Sequence, residues 1–362
     1  MFTKSHRRGM STLSEKEVEL GDIDAAVYRL SGLFFSMDDA NAFLSSAGLS
    51  KNNATRFICW LISFNIISPN HEKWALELFK LYKDYKQMLN SYIKDPSDPL
   101  IDVPVKSATV IESDIMRGMR WFQSLAADLK LNEYYISDVE LRANRILAVC
   151  SLDSPHYSYT QGHDRYLFIS FLLALEFSAQ SGLSRDFAEA IAFYLARDFI
   201  SMTAISKYLD NVTETEDHFE KMDREMAKVA PEIMRQLFDV GQSSIHFALR
   251  WELLLFADEY DIKRLLYLWD QILYYKNIFK KFLFALCIAH IQQITPAMPG
   301  EIMVEKIQTF RNWNVQQILS DAMKYIKSIE LVKPRIKMSY IIATLSVLVF
   351  LLYFYFLIGR NL

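Results

Sequence analysis

The side chains best suited to chemistry lie in two stretches, one holding an arginine and the other a glutamine. Residues 111–122 read IESDIMRGMRWF, in which Asp114 and Arg117 lie three apart and so share one face of a helix. A guanidinium stays charged and presents a planar fork of donors that suits oxyanions. Residues 156–164 read HYSYTQGHD, where the Gln161 amide can both accept and donate a hydrogen bond. An oxyanion and a neutral polar molecule are the kinds of group that these two side chains could bind.

Each of these residues also has a simpler interpretation. Arg117 and Arg120 lie three apart on one helical face, so either could be a surface ion-pair residue with Asp114 as its partner. Gln161 and Gly162 could belong to a loop that leads into a helix. The residue types alone leave both interpretations open.

A third stretch, residues 248–270, reads ALRWELLLFADEYDIKRLLYLWD. Its residues Trp251, Trp269 and Asp270 suit a structural role, through core packing or a bond at a helix terminus. Arg250 could meet an acidic partner surface, although exposed arginines on helices are common.

Several classes of chemistry are excluded by what the sequence lacks. It has no GxxxxGK[ST], GxSxG or HExxH motif, so neither a P-loop nucleotide site nor these hydrolase and zinc sites are expected. The adjacent His163 and Asp164 do not face each other on a helix, which argues against a triad with Ser158. Three widely spaced cysteines without a CxxC pair indicate reduced thiols. A formal charge of −3 gives no reason to expect nucleic acid as a partner.

Together, the three stretches resemble the TBC domain, a helical GTPase-activating domain that acts on Rab-type GTPases. That family carries an I-x-x-D-x-x-R motif, a Y-x-Q-G motif, and a later region with a tryptophan and an L-W-D or L-Y-D sequence. The matching residues are Ile111, Asp114 and Arg117, then Tyr159, Gln161 and Gly162, then Trp251 with Leu268, Trp269 and Asp270. Each motif is weak alone, but three in the right order, over residues 55–325, make the resemblance specific.

The resemblance implies that Arg117 and Gln161 act in trans, as an arginine finger and a glutamine finger on a partner's GTP. The chain would then be a GTPase activator rather than an enzyme in its own right, with a Rab-type small GTPase as its partner. GTP and Mg²⁺ would be carried by that partner, so the chain is expected to have no cofactor or metal of its own. The residues expected to bind the GTPase or support the motifs are Asp114, Tyr159, Gly162, Arg250, Trp251, Trp269 and Asp270.

Within this family, the sequence is most similar to the tail-anchored branch on the endoplasmic reticulum. Leu195, Arg197, Asp198 and Phe199 resemble an L-R-D-F element of that branch with one residue inserted. The family usually has serine or threonine after the finger arginine, but this chain has Gly118. Glycine loosens a helix by about 1 kcal/mol relative to alanine, so the arginine is expected to be less well held. A catalytically weak Rab-binding adaptor or tether is therefore the alternative function.

The elements that position these residues are predicted to be helices. Apolar residues make up 51% of the chain, with only 10 glycines and 9 prolines, which favours an all-α domain over a barrel or sandwich rich in turns. Residues 95–107 contain three prolines and are predicted to be a loop. The apolar runs 166–177 and 282–291 are too short to span a membrane and are predicted to be buried helices. Other helices are expected over 23–49 (in one or two pieces), 54–66 after an Asn53 cap, 71–94, from about 113, and over 137–150, 185–208, 215–237, 245–258, 261–275 and 279–292.

The C-terminal segment is predicted to be a single transmembrane helix. Residues 340–358 read YIIATLSVLVFLLYFYFLI, without a charge and long enough to cross a hydrocarbon core. Lys333, Arg335 and Lys337 precede this span while only Arg360 follows it, so the N-terminal side is expected in the cytosol.

The sequence therefore predicts five segments. They are a loose polar N-terminus over 1–20, an all-α TBC-like domain over 21–330, a basic linker over 331–339, a transmembrane tail anchor over 340–358 and a lumenal tail over 359–362. The expected location is the endoplasmic reticulum membrane, single-pass, with the helical domain in the cytosol. The resemblance places the expected function in vesicle transport of the early secretory pathway.

Overall fold

The computed structural model describes residues 17–30, 36–153, 159–203 and 211–332, and within them every regular element is a helix. The first nine helices are α1 (Leu20–Tyr28), α2 (Met37–Ser45), α3 (Asn53–Ser63), α4 (Trp74–Tyr92), α5 (Val105–Asp128), α6 (Glu133–Ile136), α7 (Val139–Asp153), α8 (His163–Ser181) and α9 (Arg185–Thr203). They are followed by α10 (Val212–Val229), α11 (Pro231–Phe238), α12 (Ile245–Leu253), α13 (Ile262–Tyr274), α14 (Phe279–Ile291), α15 (Met303–Thr309) and α16 (Val315–Val332). The predicted all-α class is confirmed for the described residues.

Capping side chains explain where several helices begin. Asn52, rather than the predicted Asn53, caps α3, because its side chain accepts from the Thr55 amide at 2.9 Å. Asp261 caps α13 in the same way, accepting from the Arg264 amide at 3.0 Å. Each cap satisfies one of the amide groups that a helix leaves unpaired at its start.

Helix α5, which carries the first motif, begins two turns earlier than predicted. It starts at Val105, whereas the sequence suggested a start near residue 113 and a loop over 95–107. Pro104 occupies the position just before the helix, where a missing N–H group removes no helical hydrogen bond. Pro104 is therefore the last residue of the loop, and residues 105–107 belong to the helix.

The C-terminal half differs from the prediction in two places. The single helix expected over 215–237 is two helices, because Pro231 cannot donate the backbone bond that would continue α10 and instead starts α11. Helices α15 and α16 were not predicted. Buried apolar residues recur along α16 at spacings of three and four, a helical signal that the sequence did carry: Val315, Ile318, Leu319, Ala322 and Ile326.

Helices α8 and α9 pack against each other at the centre of the core. The predicted buried runs 166–177 and 282–291 lie in α8 and α14 and are confirmed as core helices. An aromatic cluster fixes the centre, with the Phe199 and Trp269 ring centroids 4.8 Å apart and Tyr166 stacked 6.3 Å from Phe199. The segments that carry the three motifs adjoin this core.

In the part of the chain that the structure describes, no helix is both long and apolar enough to cross a membrane. The predicted span 340–358, the lumenal tail 359–362 and the linker from residue 333 onward lie outside the described residues. Residues 1–16 of the predicted loose N-terminus also lie outside them. The tail anchor therefore stays a prediction.

Candidate functional site

Helix α5 carries Arg117 on its solvent face. Its buried face is formed by apolar residues at helical spacing, among them Ile115 and Phe122. The Asp114 side chain borders that face and is 4% exposed, whereas the Arg117 side chain is 64% exposed. The Arg117 guanidinium forms an ion pair with the Asp114 carboxylate. The arginine is thus oriented by a buried partner while its side chain stays accessible from solvent.

The turn at residues 159–162 meets the same carboxylate. The Tyr159 hydroxyl donates a hydrogen bond to Asp114 Oδ2 at 3.0 Å. Gln161 lies two residues further along and is exposed. Asp114 therefore joins the helix of Arg117 to the turn that carries Gln161.

Gly162 ends this turn and precedes α8. Its φ of +104° lies in the left-handed region, and a Cβ atom built there would lie 2.5 Å from Leu254 Cδ2. Both constraints require glycine at this position. Because Leu254 belongs to the stretch 248–270, this contact also joins the second and third motifs in space.

His163 supports the turn from inside the domain. Its ring packs edge-on against Tyr159, with centroids 5.5 Å apart, and its Nδ1 accepts a hydrogen bond from the Thr160 amide at 3.3 Å. Burial lowers the pKa of His163 to about 4, because the charged imidazolium would lose its hydration there. At neutral pH the ring is therefore neutral and can accept this bond.

Gly118 marks a close approach between α5 and α8. A Cβ atom at this position would lie 2.5 Å from Phe168 Cε2 and 2.9 Å from Asp164 Oδ2. The sequence suggested that this glycine loosens the helix and holds Arg117 less well. The structure adds a packing reason for this glycine, because only a residue without a side chain lets α5 lie this close to α8.

A cluster beside the two exposed side chains was missed by the sequence analysis. The Arg165 guanidinium lies 4.6 Å from the centroid of the Trp121 ring, and its Nε donates to Asp258 Oδ1 at 2.8 Å. It also pairs with Asp164, whose pKa is raised to about 6 by burial. Arg165 and Asp258 are 93 residues apart, so no local spacing could have revealed their contact.

Arg250, expected to bind the GTPase or support the third motif, is paired inside the domain. Its Nη2 donates to Glu259 Oε1 at 2.6 Å and to the Gln308 carbonyl at 3.2 Å. Arg264 is used similarly, since its Nη1 donates to the Trp313 carbonyl at 3.1 Å. These contacts tie α12 and α13 to the C-terminal helices, so a structural role accounts for both arginines.

The two tryptophans of the third motif lie in the core rather than beside Arg117. Trp251 is fully buried and packs against His290, with ring centroids 5.4 Å apart. Trp269 is also buried, and its Nε1 donates to the Leu255 carbonyl at 2.9 Å. Both tryptophans pack in the core, as the structural interpretation of the third stretch expected.

Asp270 is a buried acid with several donors around it. Its carboxylate accepts from Arg56 Nε at 3.1 Å and from Trp60 Nε1 at 2.8 Å, and Lys51 Nζ lies 3.1 Å from Oδ2. These bonds tie α13 to α3 and satisfy the charge where water is excluded. Asp270 therefore lies in a buried network of bonds within the domain.

Within the described residues, no group of three or more histidine, cysteine, aspartate or glutamate side chains could hold a metal ion. The three cysteines are free and buried. Arg117 and Gln161, the exposed residues of the first two motifs, carry a guanidinium and an amide.

Residues 53–298, more than half of the chain, match the family described as the Rab-GTPase-TBC domain. The chain belongs to this family. Membership confirms the prediction, made from three short motifs, of a Rab GTPase-activating protein. The matched segment of the Rab-GTPase-TBC domain contains both exposed residues and every member of the cluster around them.

The fold of this Rab-GTPase-TBC domain is also found in a solved structure. The crystal structure of the Ypt/Rab-GAP domain of Gyp1p is similar with a TM-score of 0.60, covering 84% of this chain and 98% of that chain. The two sequences are 14% identical, so the likeness concerns the fold. A search of curated proteins found no match.

Proposed function

We propose that this member of the Rab-GTPase-TBC family inserts Arg117 and Gln161 into the nucleotide site of a Rab-type GTPase. GTP hydrolysis places charge on the phosphate oxygens and needs a positioned water. The guanidinium of Arg117 stabilises that charge, while the Gln161 amide accepts from the water and donates to a phosphate oxygen. GTP and Mg²⁺ belong to the partner, and this chain adds no cofactor to the reaction.

The observation that carries this proposal is the bond from Tyr159 to Asp114. This bond connects α5 to the turn at residues 159–162, which is far from α5 in sequence. Helix α5 presents the exposed guanidinium of Arg117, and the turn presents the exposed amide of Gln161. Because Asp114 also pairs with Arg117, both groups are positioned before a partner arrives. Positioning in advance reduces the entropy lost when the reacting groups are brought together.

The expected size of the effect follows from the role of each group. An arginine supplied in trans is worth about 10³–10⁵ in rate, which corresponds to roughly 4–7 kcal/mol of barrier. Arg117 suits this role better than Arg120, because only Arg117 has the motif spacing from Asp114. Arg120 then serves as a matched control on the same helix.

We further propose that the domain works from the cytosolic face of the endoplasmic reticulum membrane, held by a tail anchor over residues 340–358. The uncharged length of that segment and the basic residues before it support a span with the domain on the cytosolic side. The resemblance to the tail-anchored branch supports the endoplasmic reticulum. An anchor confines the domain to the surface on which a membrane-bound Rab also resides. The resulting effective concentration compensates for modest intrinsic affinity.

Single-turnover GTP hydrolysis with a panel of Rabs tests the proposal. The full chain in detergent is compared with Arg117→Ala, Gln161→Ala and the control Arg120→Ala. We expect acceleration of at least one Rab, a large loss in the first two variants and near-normal activity in the third. Binding of a GTP-loaded Rab without any acceleration would instead establish the adaptor function, and equal losses in Arg120→Ala and Arg117→Ala would remove the assignment of the finger.

A further inference from the structure

The turn that joins α13 to α14 lies beside the C-terminal end of the described chain. Lys281, in the first turn of α14, donates from Nζ to Glu330 Oε1 at 2.6 Å. Glu330 lies in the last turn of α16, which ends at Val332. The seven residues 333–339 then lead to the predicted span, and they extend at most about 25 Å. This end of the domain therefore stays close to any bilayer that the span crosses.

The composition of this turn suits a membrane surface. Residues 274–281 read YYKNIFKK, which contains no acid. Lys276 and Lys281 are bonded within the domain, and Lys280 is the third lysine of the segment. Tyr274 and Ile278 are 37% and 38% exposed, and Lys280 is also exposed. Aromatic rings favour the depth of the lipid headgroups, and lysines extend their ammonium groups toward anionic lipids while their stems lie on apolar surface.

We propose that residues 274–281, here called the basic turn, lie against an anionic bilayer surface and set the orientation of the domain. The proposal rests on the tail anchor of the proposed function. Lys333, Arg335 and Lys337 in the linker carry the same sign of charge, and residues 333–339 contain no acid. The sequence that leads from α16 to the predicted span is therefore basic, as is expected of a segment next to an anionic bilayer.

The basic turn is fixed to the domain, so a contact made there orients the whole structure. Lys276 donates from Nζ to the Ser63 carbonyl at the end of α3. The Tyr275 ring packs against Phe282, with centroids 4.6 Å apart. A surface held on two sides by packed helices cannot rotate independently of them.

The exposed finger residues lie near the opposite end of α13. Asp258, which accepts a hydrogen bond from Arg165 beside the turn of Gln161, precedes the first residue of α13 by only four positions. The 13 residues of α13 then span about 20 Å before the basic turn is reached. Contact at the basic turn therefore holds Arg117 and Gln161 away from the bilayer rather than against it.

Site-specific fluorescence on the full chain in vesicles tests this contact. Ile278→Cys is labelled with an environment-sensitive nitrobenzoxadiazole probe, and Met298→Cys, 67% exposed beyond the other end of α14, is the matched control. The three native cysteines are buried, and burial raises the pKa of Cys150 to about 12, so they resist labelling. In vesicles of phosphatidylcholine and phosphatidylserine we expect a blue shift and quenching by spin-labelled lipid at position 278 but not at 298.

Alkaline carbonate extraction of the same vesicles separates the possible outcomes. Protein that resists extraction but shows no more quenching at 278 than at 298 overturns the contact while leaving the anchor in place. Protein that is released overturns both. Lys280→Glu should reduce the quenching at 278, whereas Lys263→Glu, exposed at the start of α13, should not; equal effects would contradict the proposed role of charge.

Discussion

The Tyr159 hydroxyl donates to Asp114 Oδ2 at 3.0 Å, although the two residues are 45 positions apart in the chain. The other oxygen of the same carboxylate pairs with Arg117. The buried Asp114 carboxylate is therefore bonded both to Arg117 on α5 and to Tyr159 in the turn that carries Gln161. The predictions below follow from this arrangement and from the packing around it.

Removing the Tyr159 hydroxyl should weaken acceleration by acting on Gln161. Tyr159→Phe loses a hydrogen bond to a charged group, worth about 1.5–3 kcal/mol, so we expect roughly a 10- to 100-fold lower stimulated rate. Single-turnover hydrolysis of Tyr159→Phe, Gln161→Ala and the double variant checks this. If the tyrosine acts through the turn, the double variant is scarcely slower than Gln161→Ala; fully multiplicative losses would contradict that role.

Replacing Arg117 by lysine should abolish most of the acceleration without unfolding the domain. Lysine keeps the positive charge but lacks the planar fork of donors, and the replaced side chain is mostly exposed. We expect Arg117→Lys to bind a GTP-loaded Rab and retain its unfolding midpoint, with a stimulated rate at least 10-fold lower on the scale set by a trans arginine. Near-normal rates would indicate that charge alone suffices.

Adding a side chain at Gly118 should destabilise the domain. Gly118→Ser places a Cβ atom against Phe168, and overpacking of this kind costs about 1–3 kcal/mol. Denaturant unfolding of the full chain measures the change, with Gly21→Ala in α1 as the control. No atom lies within 4 Å of a Cβ built at Gly21, so this helical glycine should gain up to about 1 kcal/mol on becoming alanine. A stable Gly118→Ser variant would show that α5 and α8 can separate.

Acidification should weaken the turn through His163. Burial lowers the pKa of His163 from its ordinary 6.5 to about 4, so the unfolded chain takes up this proton first as the pH falls. The contribution of His163 to stability is complete above pH 6.5 and is lost toward pH 4. Between about pH 7 and pH 4.5, His163→Gln should lose about 2–3 kcal/mol less unfolding free energy than the wild type.

Asp164 should show the opposite dependence in the same pH range. Burial raises its pKa to about 6, so the folded state binds this proton first and is stabilised as the pH falls from 6 toward 3.8. Asp164→Asn removes that compensation, and its unfolding free energy should fall more steeply with acid than that of the wild type. Unfolding curves at several pH values measure both variants, and identical slopes would contradict the assignment.

The sequence predicted the parts of this site that are encoded locally. Arg117 and Asp114 share a helical face because they lie three apart, and Gly162 was visible within a short motif. The bond between Tyr159 and Asp114 was not predictable from spacing, since it depends on how α5 packs beside α8. The same is true of Arg165 with Asp258, which are 93 residues apart.

The predicted helix bounds were wrong where a proline could either interrupt a helix or precede its first turn. Residues 95–104 form the loop that the prolines predicted, but Pro104 stands just before the first residue of α5, so 105–107 are helical. Pro231 instead splits a continuous apolar pattern into α10 and α11. In both places the helix pattern was present, and the position of the proline relative to the helix start decided the outcome.

The contact between Gly118 and Phe168 restricts how this lineage can change. A serine or threonine at position 118 is disfavoured while the phenylalanine remains, because its Cβ atom would meet that ring. A smaller residue at position 168 must come first, and such a change leaves a cavity in the core. Either order of these two changes passes through a less stable intermediate, so the effects of substitutions at positions 118 and 168 on stability are expected to be coupled.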